Sequence, residues 1–134
     1  MLEFKDKSFH LAHSNSVIEH VGEKINRMKF SNEIKRVSDI YYVQTPNYWF
    51  PMEPHFMTPF FQFLPESVRI TLVQNFALGW FGRAKDFNSA KAIVDSCNLL
   101  TKQDLETLFP EAKLYKEKIG FLVKSFVVIQ NSTF

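Results

Sequence analysis

At 134 residues the chain is the size of one domain, and 46% hydrophobic content with 15 phenylalanines implies a packed core rather than disorder. The net charge of +2 comes from basic residues scattered among acids, as where Lys113, Lys116 and Lys118 accompany Glu111 and Glu117, which excludes the basic face of a nucleic-acid binder. No apolar run approaches the ~18 residues of a membrane helix, the first residues lack a signal-peptide core, and the lone Cys97 can form no internal disulfide, so a cytoplasmic protein without membrane contact is expected.

Ser8 to Ser14 alternates weakly and is short enough for a strand. Asn15 or Ser16 can cap a following helix, because their side chains accept from its first free N–H groups. Val17, Val21, Ile25 and Met28 fall at helical spacing, with Gly22 as an interruption. Phe30, Ile34 and Val37 continue a helical face after a break at Ser31-Asn32. Asp39 to Thr45 is the second strand, and the order strand, helix, strand predicts parallel strands with a right-handed crossover.

Tyr41 to Leu64 begins as this β-rich run and becomes a proline-punctuated aromatic loop. Pro51, Pro54 and Pro59 stiffen it by fixing φ and disfavouring helix at the preceding residue. A buried strand emptying into a long loop at its C-terminal end is where open α/β sheets place ligands. The loop offers Asn47, Tyr48, Trp49, Glu53 and His55. A helix then starts at Pro65-Glu66, with Val68, Leu72, Val73 and Phe76 on one face, and runs to a turn at Gly79 to Gly82. Asp86 to Asp95 forms a short helix with Ala90, Ile93 and Val94 inside. Thr101 and Asp104 make a capping box for a helix that Pro110 ends. Lys113 to Lys118 is an edge strand, Gly120 turns the chain, and Phe121 to Ile129 is the last strand.

Catalytic motifs are scarce. The four glycines form no GxGxxG loop, and GxSxG, HExxH and paired CxxC are absent. Cys97 reads as a buried thiol at a helix end. Glu19 and His20 open the first helix near the end of the first strand, where a carboxylate and an imidazole could serve as acid and base, or bind metal with Glu53 and His55. Adjacent helical residues point ~100° apart, so both face one cavity only at its rim. Capping and surface roles are the commoner use of such a pair, and no metal is assigned. His10 and His13 are structural.

Three runs carry a resemblance: LEFKDKSFHLAHSNSVIEHVG (Leu2 to Gly22), VQTPNYWFPMEPHFMTPFFQFLP (Val43 to Pro65) and LLTKQDLETLFPEAKLYKEKIGFLVKSFVVI (Leu99 to Ile129). In this order they resemble the C-terminal half of the Rossmann-like S-adenosylmethionine (SAM)-dependent methyltransferases. His10 stands where the family usually has an aspartate, and the family's glycine-rich loop and ribose-holding acid belong to the half that the resemblance does not cover.

The resemblance implies an α/β fold: a partial Rossmann-like methyltransferase sheet of about four strands, mostly parallel with the last antiparallel, and flanking helices. Strands near residues 9–14, 40–45 and 113–118 would share a direction. Residues 1–134 would be a single domain with an aromatic substrate-side insertion near 46–82. Ser14 and Asn15 would lie beside the methionyl part of SAM, and Glu19 and His20 would flank the transfer site. His20 or His55 would be the base, with Asn47, Tyr48, Trp49, Glu53 and His55 lining the side of a small-molecule acceptor. Without the family's other half, SAM would bind weakly. A homodimer, or a complementary N-terminal half, is expected to dock at the strand near Phe9 to Ser14. The alternative is a catalytically inert interaction or small-ligand-binding module.

Overall fold

A computed structural model describes residues 3–131. In chain order its elements are β1 (Ala12–Asn15), α1 (Lys24–Val37), β2 (Tyr41–Pro46), β3 (Met52–Glu53), β4 (Thr58–Pro59), α2 (Glu66–Asn75), α3 (Phe87–Asp95), α4 (Lys102–Leu108), β5 (Lys113–Ile119) and β6 (Leu122–Gln130). Short 3-10 turns at Ile18–His20 and Phe61–Phe63 complete the list.

The main sheet has the order β1-β2-β6-β5. β1 pairs parallel with β2, from Ala12 opposite Tyr41 to Asn15 opposite Gln44. β6 pairs antiparallel with both β2 and β5. The mostly parallel pairing expected from the sequence is therefore corrected. β1, β2 and β5 do share one direction, but β6 is inserted between β2 and β5, so within this sheet parallel pairing is confined to β1 and β2.

Two physical features put β6 there. Gly120, at φ +61°, closes a tight turn that can only return the chain antiparallel to β5. Ser125 to Val128 are buried in succession, which requires cover on both faces. β5, with Lys113, Lys116, Glu117 and Lys118, tolerates the edge.

The first strand is shorter and later than expected. Phe9 N donates to Val37 O at 3.1 Å, so residues before Ala12 run past the end of α1, outside the sheet ladder. The helical stripe starting at Val17 is also corrected. The 3-10 turn ends at His20, Gly22 takes φ +89°, and α1 begins only at Lys24. Val17, Ile25 and Met28 consequently stay exposed. No break occurs at Ser31-Asn32, because buried Ser31 donates its hydroxyl to Met28 O at 3.0 Å within the helix. The expected capping box forms, with Thr101 and Asp104 bonded reciprocally, and Asp86 caps α3 by accepting from Ser89 N.

Two hydrophobic clusters result. Ile18, Tyr41, Val43, Leu105, Phe109 and Val128 form the core on the sheet. Phe56, Phe61, Ile70, Val73, Val94 and Cys97 form a second core, under α2 and α3. The aromatic stretch is more regular than a loop: β3 and β4 make a small antiparallel hairpin, with Met52 opposite Pro59. Phe56 and Phe61 stack at 4.2 Å and anchor that hairpin in the second core.

Candidate functional site

The C-terminal ends of β1 and β2 open toward the β3–β4 hairpin, and four polar side chains meet there. β1 ends at Asn15, and Ser16 turns the chain at φ +52°, with its N–H on Gln44 O at 3.0 Å. The 3-10 turn that follows drives Glu19 inward until it is fully buried. A buried carboxylate needs partners to offset lost hydration. Glu19 Oε2 accepts from Thr45 Oγ1 at 2.8 Å. Glu19 Oε1 has no hydrogen-bond partner among the described residues and faces His55 Nε2 at 3.8 Å.

His55 is held from its other side. Its Nδ1 lies 2.8 Å from Glu53 Oε1, and Glu53 Oε2 accepts the Phe56 backbone N–H at 2.7 Å. Burial opposes charge on the imidazole, but the Glu53 hydrogen bond and the charges of Glu53 and Glu19 outweigh it, so the His55 pKa is raised.

His20 enters from the rim. Its Nδ1 lies 2.7 Å from Ser96 O, and a carbonyl can only accept, so Nδ1 carries a proton. The His20 and His55 rings meet edge to face at 4.6 Å. Cys97 Sγ lies 3.9 Å from His20 Nδ1. Burial, reinforced by the charges of Glu53 and Glu19, pushes the Cys97 thiol up to about 11, so at neutral pH it is a thiol rather than a thiolate nucleophile.

Of the residues expected from sequence, the fold thus brings together Glu19, His20, Glu53 and His55. Tyr48 lines a cavity beside them, and the others lie elsewhere. Ser14 is buried on β1, with its hydroxyl lacking a hydrogen-bond partner among the described residues, and Asn15 is exposed at the strand end. Asn47 secures the loop: its Nδ2 donates to Val123 O at 2.8 Å and its Oδ1 accepts Trp49 N–H at 3.1 Å. Tyr48 packs edge-on against Trp49 and Phe63, and Trp49 is 65% exposed. Sequence reasoning missed Thr45 and gave Cys97 no role near the histidines. A hydroxyl at the C-terminal end of a buried strand was the available signal for Thr45; for Cys97 there was none.

Beside this cluster lies a cavity of about 190 Å³, whose lining includes Arg27, Tyr48, Glu53, Gln62, Arg69 and Cys97. Arg27 Nε, Arg69 Nε and Gln62 Oε1 are buried there without a hydrogen-bond partner among the described residues. The cavity therefore presents donors of positive charge beside a paired carboxylate.

No protein-family model matches the chain, and no curated protein matches it. Among solved structures, a SAM-dependent methyltransferase from Methanosarcina mazei is similar, with a TM-score of 0.50 and 14% identity. The match covers 96% of this chain and 61% of that one, so the present chain spans less than two thirds of its neighbour. At that identity the likeness shows the fold: a mixed α/β arrangement of methyltransferase type. No helix among the described residues is long and apolar enough to cross a membrane.

The residues present fit only part of SAM. Ser14 and Asn15 stand at the strand end where a ligand of such a sheet would lie. The glycines at 22, 79, 82 and 120 build no glycine-rich loop after a strand, so the nucleoside lacks a grip within this chain.

Proposed function

We propose that the chain is the acceptor-side half of a SAM-dependent methyltransferase fold, active when a complementary segment or a second copy supplies the nucleoside grip. The observation that carries this reading is the convergence of Glu19, His20, Glu53 and His55 at the C-terminal ends of β1 and β2, on a sheet like that of a methyltransferase. SAM would supply an activated methyl group. The chain's own contribution is to receive the acceptor's proton at His55 Nε2, with Glu53 on Nδ1 and Glu19 opposite holding the resulting imidazolium.

The acceptor itself would enter the adjoining cavity, where Arg27 and Arg69 suit an anionic group. The complementing partner would dock along β1, which among the described residues pairs with β2 alone. Isothermal titration of SAM into the assembled chain tests the reading. Binding tighter than ~100 μM, about 5.5 kcal/mol, is expected, and the absence of heat would move the chain to its alternative. That alternative, an inert interaction module, draws on the exposed aromatic surface of Trp49, Phe60, Phe63 and Trp80, the last 81% exposed.

A further inference from the structure

The two histidines and the cysteine share this corner. We propose that His20, His55 and Cys97 form a binding site for a divalent transition metal such as zinc, with the Glu19 carboxylate beside His55 as a counter-charge. A ring nitrogen of each histidine and Cys97 Sγ lie within 4.8 Å of one another. Bond lengths of ~2.0–2.1 Å to nitrogen and ~2.3 Å to sulfur put tetrahedral ligand atoms about 3.4–3.7 Å apart.

The surroundings of His55 match those of metal-bound histidines. Such imidazoles usually donate their second N–H to a carboxylate or a backbone carbonyl. His55 Nδ1 has Glu53, which leaves its Nε2 for a ligand. Cys97 Sγ approaches His20 at Nδ1, 3.9 Å away, the nitrogen that also faces Ser96 O, so binding there replaces that carbonyl contact. Glu19 is the independent observation at this corner. It is fully buried, and its Oε1, without a hydrogen-bond partner among the described residues, points at His55 Nε2. A dication held by two neutral imidazoles and one thiolate, with one carboxylate beside it, has no net charge, which limits the cost of burial. The mixture of nitrogen and sulfur favours zinc or cobalt over magnesium or calcium. His20 is solvent-exposed and provides the entry route.

On binding, the Cys97 S–H bond breaks, a metal–sulfur bond forms, and the proton leaves to solvent. Any proton on His55 Nε2 or His20 Nδ1 leaves likewise. A metal on these imidazoles occupies the lone pairs that a base would use, so the two roles exclude each other at any one time. The test is cobalt(II) titration of the untagged full chain under reducing conditions, without SAM, so its outcome is separate from that of the SAM titration. Expected are saturation at one equivalent, the visible bands of tetrahedral cobalt, and a thiolate-to-cobalt charge-transfer band in the near ultraviolet that zinc abolishes. Cys97→Ser should remove the charge-transfer band. His20→Gln, a surface change that keeps the fold, should weaken binding at least ~10-fold, while His13→Gln on β1 should leave it unchanged. A pale octahedral spectrum without a charge-transfer band, no saturable binding, or undiminished affinity in the His20 variant would overturn the site.

Discussion

Gly79 lies directly against the backbone of His55. A Cβ at position 79 would overlap the His55 carbonyl oxygen and come within 2.8 Å of Phe56 Cα, and Gly79 itself has φ +55°. Trp80 N–H donates to the same His55 carbonyl at 3.1 Å, so the 78–81 turn is the platform on which the histidine rests. Gly79→Ala meets both a left-handed backbone penalty of ~1–2 kcal/mol and an overpacking cost of about 1–3 kcal/mol. The expected result is a loss of about 2–5 kcal/mol in urea unfolding together with displacement of His55. An alanine variant of wild-type stability would show that the turn does not support the site.

Thr45 holds Glu19 in place through one hydroxyl. Thr45→Val keeps the shape and removes the only hydrogen bond the Glu19 side chain makes among the described residues. A buried charged acceptor left without its donor costs ~1.5–3 kcal/mol. The midpoint of urea unfolding at pH 7 should fall accordingly, with an unchanged m-value.

A pH effect on stability arises away from the site, at Glu111. Burial works to raise its pKa, but the Tyr41 hydroxyl donating at 2.6 Å, its backbone hydrogen bond and Lys35 at 3.8 Å win, and the carboxyl is held below its ordinary value. With the folded pKa below the unfolded one, the unfolded state binds more protons, so stability increases with pH across that window. The contribution is complete above the unfolded value of ~4.3 and disappears as pH falls through the folded value. Because the Glu111 side chain is 41% exposed, its size should stay under ~1 kcal/mol. Unfolding of Glu111→Gln between pH 3 and 6 should show that much less acid sensitivity than the parent.

β1 tests the partner reading. Ala12 N–H and Ser16 N–H both point to β2, on Ile40 O and Gln44 O, so by alternation the His13 N–H points away from β2. His13→Pro removes that outward donor and leaves the ladder to β2 intact. The parent chain should be larger than a monomer by light scattering at micromolar concentration, and the proline variant should dissociate while keeping its circular dichroism. A parent that remains a monomer removes the case for docking along β1.

Some of this architecture was readable residue by residue. Thr101 and Asp104, three apart, announce their reciprocal cap, Asp86 announces the start of α3, and Gly120 announces the hairpin of β5 and β6. The pairing of Glu53 with His55 also lies within one short segment. The slot of β6 between β2 and β5 was not readable, because strand order depends on which burial satisfies the most faces at once. Gly22 was legible as an interruption and does take positive φ, but the burial of Glu19 before it and the unbroken run of α1 through Ser31-Asn32 were not.

By itself, the sequence determined what operates over a few residues: the caps, the turn glycines, the apolar runs, and the set of carboxylates and imidazoles available for chemistry. Only the tertiary structure decided that Cys97 meets His20 across a separation of 77 residues, and that Thr45 serves Glu19 across 26. The physical reason is range. Backbone hydrogen bonds and turn preferences act between near neighbours, whereas burial brings side chains together only after both cores have closed.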